Sequence, residues 1–178
     1  MINCFNVNLH INPLKEGVDI NSYGKKRRIK ISFDRISDDL FNLMNSSNLK
    51  ITDAEVFYVT PHIFNYIHTD SYGGDYVKLN FVYGGKDSYM NWYKPKSNII
   101  KQIDKTLDYV MFKTSEVELI DRQQILWSSI VQVGIPHNVK TFGESRYCLS
   151  FILCNLDDTR LTMNDAIKRL ATCHHNEP

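Results

Sequence analysis

Cysteine is scarce and unclustered in this sequence: Cys4, Cys148, Cys154 and Cys173 stand apart with no CxxC spacing. A zinc ribbon or a dense disulfide framework needs thiols grouped along the chain, so both are excluded. Cys148 and Cys154 fall in an apolar run and read as buried thiols. Long hydrophobic runs are missing too. The amino-terminal "MINCFNVNLHIN" has no basic stretch leading into an apolar one, and no later segment approaches the length of a membrane span. The expectation is a soluble, cytoplasmic protein with no membrane partner. The third absence is an excess of one charge. With 21 basic residues against 20 acidic ones, no global field draws in nucleic acid or an anionic membrane. The partner has to be argued from a site.

What is present is enough apolar material, 43% of 178 residues, to build a real core in one domain spanning 1–178. Repeats and low-complexity stretches do not occur. Early in the chain, "RIKISF" (Arg28 to Phe33) alternates as a strand does, and "ISDDLFNLMNSS" reads as a short helix. Ser37 is its N-cap, because Asp38 and Asp39 then fall in the first turn, where the helix dipole favours them. From Lys50 to Asn155 short β-rich runs follow one another: "KITDAEVFYVTP", "HIFNYIHTD", "YVKLNFVYGG", "DSYMNWYKP", "LDYVMFK", "EVELID", "ILWSSIVQVG" and "SRYCLSFILCN". Turn residues separate them. No helical pattern long enough for a crossover lies between them, so a β-sandwich or jelly roll suits them better than an α/β sheet. At the end, "LTMNDAIKRLATC" is a helix capped by Thr162, with Asp165 three residues on, and is expected to pack on the outside of a sheet.

Within "YIHTD", His68 and Asp70 are two residues apart in a strand-like run. Side chains at i and i+2 leave the same face with Cα atoms about 6.5–7 Å apart, so both heads can converge on one metal ion. His137, in "QVGIPHNV", follows the strand-like "LWSSIVQVG". Two histidines and one carboxylate form the facial triad that leaves positions open on a non-haem Fe(II). Arg146, nine positions later, opens "RYCLSF", where it shares a strand face with Cys148 and Ser150. A guanidinium among apolar neighbours needs an anion, since a hydrogen bond to a charged group is worth about 1.5–3 kcal/mol and the planar fork suits a carboxylate. Nothing in the local sequence supplies that anion; a ligand can.

Taken together, "HTD", "IPHNV" and "SRYCLSF", with "LNFVYGGKDSYMNWY" after the first, resemble the HxD…H…R pattern of Fe(II)- and 2-oxoglutarate-dependent oxygenases. The resemblance covers about Glu55 to Asn155, and its flavour is that of small prolyl-hydroxylase-like, phage or bacterial members. It implies a mainly β fold with flanking helices: a double-stranded β-helix, the jelly roll related to the cupins, with its core at about 50–155. It also implies that His68, Asp70 and His137 bind Fe(II), that Arg146 binds the distal carboxylate of 2-oxoglutarate, and that O₂ is the second co-substrate. Many members carry a helping hydroxyl two positions after the arginine, where this chain has Cys148. Ser150, Tyr58 and Asn80 are therefore the candidates for the second oxoglutarate contact. Related halogenases have a small residue in place of the aspartate, so the intact Asp70 points to hydroxylation, with release of succinate and CO₂. The implied substrate is a peptide side chain or a small molecule. The alternative is a cupin-like β-barrel binding protein, non-catalytic or using a different metal.

Other polar and aromatic residues have plainer readings. His62 shares parity with His68, yet lies about 20 Å away along an extended strand, at a rim. His10, His174 and His175 read as solvated. Lys78 shares the barrel-lining parity of Asn80. Trp92, Tyr93 and Trp127 read as core or interface aromatics, with Trp92 kept as a rim candidate. "KKRR" (Lys25 to Arg28) reads as a solvated loop, since it lacks the interleaved aromatics of a nucleic-acid surface.

Overall fold

Alternating side chains along the longest strands divide this protein into two sides, one apolar and one that holds the chemistry. The structure is a computed structural model and describes residues 2–62, 66–70, 76–97, 110–125 and 127–171. In chain order its elements are β1 (Cys4–Asn6), β2 (Arg28–Lys30), α1 (Asp38–Ser46), β3 (Leu49–Val59), β4 (Ile67–Thr69), β5 (Val77–Gly84), β6 (Ser88–Pro95), β7 (Val110–Phe112), β8 (Val117–Gln124), β9 (Ser128–Gln132), β10 (His137–Thr141), β11 (Arg146–Asn155) and α2 (Met163–Ala171). The strands form two antiparallel sheets. One has six strands in the order β1-β9-β5-β11-β3-β2, the other five in the order β7-β4-β10-β6-β8.

The main apolar core lies between the six-stranded sheet and the two helices. Leu79 and Phe81 of β5, Ala54 and Val56 of β3, and Leu149 and Phe151 of β11 share it with Leu40 and Met44 of α1 and with Met163, Ala166 and Leu170 of α2. Each fully buried large apolar side chain contributes about 1.5–3 kcal/mol, so this layer anchors the sheet on which the site is built. The helix starts follow local chemistry. Ser37 Oγ accepts from the Leu40 N–H at 3.3 Å, and Thr162 Oγ accepts from the Asp165 N–H at 3.1 Å while donating to its carboxylate at 2.8 Å. Both caps are those expected from the sequence. No helix among the described residues is long and apolar enough to cross a membrane.

The opposite parity of the same strands faces the second sheet. Val82, Met90, Trp92, Val131, Val133 and Cys148 close part of that space. Trp92 is fully buried and its indole N–H donates to the Gln132 carbonyl at 2.7 Å. It is a core residue rather than a rim residue, because its strand parity carries it between the sheets.

Several elements differ from their sequence reading. "RIKISF" ends as a strand at Lys30, because Ile31 turns into the core and Phe33–Arg35 form a 3₁₀ turn. In "HIFNYIHTD" the strand seen among the described residues is Ile67–Thr69, and His62 sits exposed in a turn with φ +62°. His137, which follows the strand-like "LWSSIVQVG" in the sequence, itself opens the next strand, β10. The tail histidines His174 and His175, with Cys173, lie outside the described residues.

Candidate metal centre

β4 and β10 are antiparallel neighbours, and their register sets His68 directly opposite His137, with ring centroids 4.6 Å apart. Each ring is oriented in the same way. Nδ1 of His68 is 2.9 Å from the Tyr66 carbonyl oxygen, and Nδ1 of His137 is 2.9 Å from the Ile135 carbonyl oxygen. A carbonyl oxygen only accepts, so each Nδ1 carries a proton and Nε2 is the ring atom left to ligate a metal. Both Nε2 atoms face Asp70 Oδ1, at 3.1 Å from His68 and 3.7 Å from His137. The Asp70 N–H donates to the Val133 carbonyl at 3.0 Å, which ties the carboxylate's backbone to the strand end before β10. One ligand atom from each residue lies within 4.8 Å of the others. Ligands sit about 2.0–2.2 Å from a first-row ion, so two donors can share one when they are no more than about 4.4 Å apart, a limit that both histidine–Asp70 distances meet.

Burial pushes the Asp70 carboxyl up, but Lys78, followed by His68 and His137, outweighs it and holds the group well below the usual carboxylate range. Lys78 Nζ is 2.7 Å from Asp70 Oδ2. Burial pulls that ammonium's value down; Asp70 and then Glu55 outweigh it and hold the group above the ordinary lysine value. Glu55 Oε2 is 3.7 Å from Lys78 and its Oε1 accepts from Arg28 Nε at 2.7 Å. Charges therefore alternate from Arg28 through Glu55 and Lys78 to Asp70. His137 is buried, which drives its imidazole down to about 4 and leaves it neutral at pH 7.

His68, Asp70, His137, Lys78 and Arg28 border a cavity of about 480 Å³ between the sheets, which Arg146, Asn80, Ser150 and Cys148 also line. Arg146 is 2% exposed. One of its terminal nitrogens donates to Ser88 Oγ at 3.2 Å, its Nε has no hydrogen-bond partner, and no carboxylate lies within ion-pair distance among the described residues. Gly85 makes room for it: a Cβ there would fall 2.5 Å from Arg146 Cβ. Ser150 Oγ donates to Asn80 Oδ1 at 2.7 Å, so the two form one polar wall. The thiol of Cys148, at the position of the family's helping hydroxyl, is pushed up by burial and stays protonated.

Tyr58 is a correction. Glu55, Phe57 and Val59 take the inward parity of β3, and Tyr58 lies on the other face, its ring 4.8 Å from that of Tyr147. It does not line the cavity. His62 and exposed His10 are absent from the lining as well. Conversely, Arg27 and Arg28 border the cavity although "KKRR" reads as a solvated loop. Pairing of β2 with β3, Arg28 opposite Phe57, brings them there, and no local pattern announces that pairing. Glu55 was also missed as part of the site, whereas Lys78, on the barrel-lining parity of Asn80, lines the cavity as that parity implies, though its pairing with Asp70 was not foreseen.

No family model, curated protein or solved structure matches this chain.

Proposed function

We propose that this chain is a cytoplasmic Fe(II)- and 2-oxoglutarate-dependent oxygenase that hydroxylates an unactivated C–H bond of a peptide side chain or small molecule. The observation that carries the reading is one cavity with two unlike ends: three convergent metal donors, His68, Asp70 and His137, and a buried guanidinium, Arg146, that lacks a carboxylate. The donor set suits Fe(II), since two imidazoles and one carboxylate leave positions for co-substrates. The wasted Nε donor of Arg146 suits a carboxylate-bearing co-substrate. Strand order supports a double-stranded β-helix. Along β3, β4, β5 and β6, and again along β9, β10 and β11, the chain alternates between the sheets at each step. The free thiols of buried Cys4 and Cys148 suit a reducing compartment.

In this reading His68, Asp70 and His137 hold the iron, and Arg146, with Ser88 beside it, takes the distal carboxylate of 2-oxoglutarate. Bound Fe(II) supplies O₂ activation, so that one oxygen atom enters the substrate as hydroxyl and the other enters succinate as CO₂ leaves. The chain's own groups set the stage. The Tyr66 and Ile135 carbonyls hold a proton on each Nδ1 and so leave Nε2 for the metal, Lys78 keeps Asp70 ionised, and Met90, Val133 and Val139 give the cavity apolar walls that limit water. The test is anaerobic addition of 2-oxoglutarate to the Fe(II)-loaded protein, following the weak visible metal-to-ligand charge-transfer band. A band that Arg146→Met abolishes supports the reading; iron binding without a band in wild type removes the co-substrate from it.

A second reading has its own observation. The 2.7 Å Lys78–Asp70 pair already neutralises the carboxylate, as a binding module without metal would require. Failure of Fe(II), Mn(II) and Zn(II) to bind at neutral pH would favour it.

A further inference from the structure

The cation at the mouth of the cavity is not accounted for by the metal and its co-substrate. Arg28 is engaged by Glu55, Lys78 lies between Asp70 and Glu55, and Arg146 serves the oxoglutarate end. Arg27 borders the same cavity, is exposed, and has no carboxylate within ion-pair distance among the described residues. Its guanidinium carbon lies 5.9 Å from the centroid of the Tyr66 ring. Tyr66 also borders the cavity, is 61% exposed, and lends its carbonyl to His68. A cation without a carboxylate partner among the described residues and an exposed aromatic ring therefore border the same cavity as the metal donors. Arginine over an aromatic ring keeps its N–H edges available for a bidentate anion.

Charge points the same way. Among the described residues of the loaded site, the side chains of Arg27, Arg28, Lys78 and Arg146 and a divalent ion face only Asp70, Glu55 and doubly charged oxoglutarate. The balance stays positive, and a low-dielectric cleft focuses that field outward. We infer that the substrate is an anion, whose carboxylate or phosphate is held by Arg27 and whose flat or apolar part rests on Tyr66, with the reacting C–H turned toward His68 and His137. This rests on the oxygenase reading for the reaction, though not for the binding of the anion.

The experiment titrates phenylacetate, phenyl phosphate and the neutral phenylacetamide into Zn(II)-loaded protein saturated with 2-oxoglutarate, and into metal-free protein, followed by NMR shifts. Both anions should bind, with the amide about tenfold weaker, as loss of a charge-assisted contact implies. Arg27→Ala should erase that preference and Arg27→Lys should restore part of it, each at an unchanged melting temperature. The tighter of the two anions identifies a carboxylate or a phosphate substrate. Equal binding of the amide in wild type, or an unaltered preference in Arg27→Ala, overturns the inference. An Arg27-dependent preference in metal-free protein that shows no iron charge-transfer band supports the anion site and removes the oxygenase reading alone.

Discussion

Lys78 Nζ and Asp70 Oδ2 meet at 2.7 Å inside the cavity, a buried cation against a metal-ligand candidate. Cutting one partner from a buried pair costs about 3–5 kcal/mol, because the other charge is left without compensation. Lys78→Met should therefore lower the melting temperature of the metal-free protein strongly. Zn(II) should recover more of that loss in the variant than it adds to wild type, since the ion supplies the missing positive charge. Thermal melts with and without Zn(II) check both statements; an unchanged melt in Lys78→Met would mean that the pair is not maintained in solution.

Arg146→Met should behave in the opposite sense. The guanidinium is buried with one hydrogen bond and an orphaned Nε, so an apolar replacement of similar length removes an uncompensated charge. The variant should be as stable as wild type or more so in urea, while binding of 2-oxoglutarate to the metal-loaded protein falls at least tenfold, the equivalent of about 1.4 kcal/mol. A large destabilisation would assign Arg146 a structural role instead.

Gly85 and Gly17 form a matched pair for testing the Arg146 cradle. Both have positive φ, +64° and +78°, but a Cβ on Gly85 would meet Arg146 whereas one on Gly17 would meet nothing within 4 Å. Backbone strain of this kind costs on the order of 1–3 kcal/mol. Gly17→Ala should show that cost alone. Gly85→Ala should exceed it and also weaken 2-oxoglutarate binding, measured by calorimetry.

Stability of the metal-free protein should depend on pH in two windows. His137 is held down at about 4, below its unfolded value, so its contribution is present above about pH 6.5 and is lost as pH falls through its folded value. Over that window the loss is on the order of 3 kcal/mol. Asp70 is depressed as well, so its contribution persists above its unfolded value and disappears only below about pH 4. Urea titrations of His137→Gln from pH 7 to 4 should flatten the upper window. Retention of the full slope in that variant would assign it to another group.

The sequence by itself determined what lies within a few residues. Period-two alternation put His68 and Asp70 on one face, put Arg146, Cys148 and Ser150 together, and sent Leu149 and Phe151 to the opposite apolar side. Ser37 and Thr162 cap their helices through bonds spanning three residues, so their neighbours alone specify them. Parity with Asn80 likewise placed Lys78 on the lining face.

Register across the sheets was decided by the tertiary structure. His137 stands opposite His68 because β10 enters beside β4, a pairing between residues far apart in the chain. Pairing of β2 with β3 carried Arg27 and Arg28 from an apparent loop to the cavity, and Glu55 reaches Lys78 only because both strands flank β11. Tyr58 went to the outer face of β3, away from the cavity, whereas Trp92 took the core position its residue type suggested, between the sheets. Alternation fixes relative faces along one strand, whereas which face meets the cavity depends on how the whole set of strands pairs, a cooperative outcome that no single window of residues encodes.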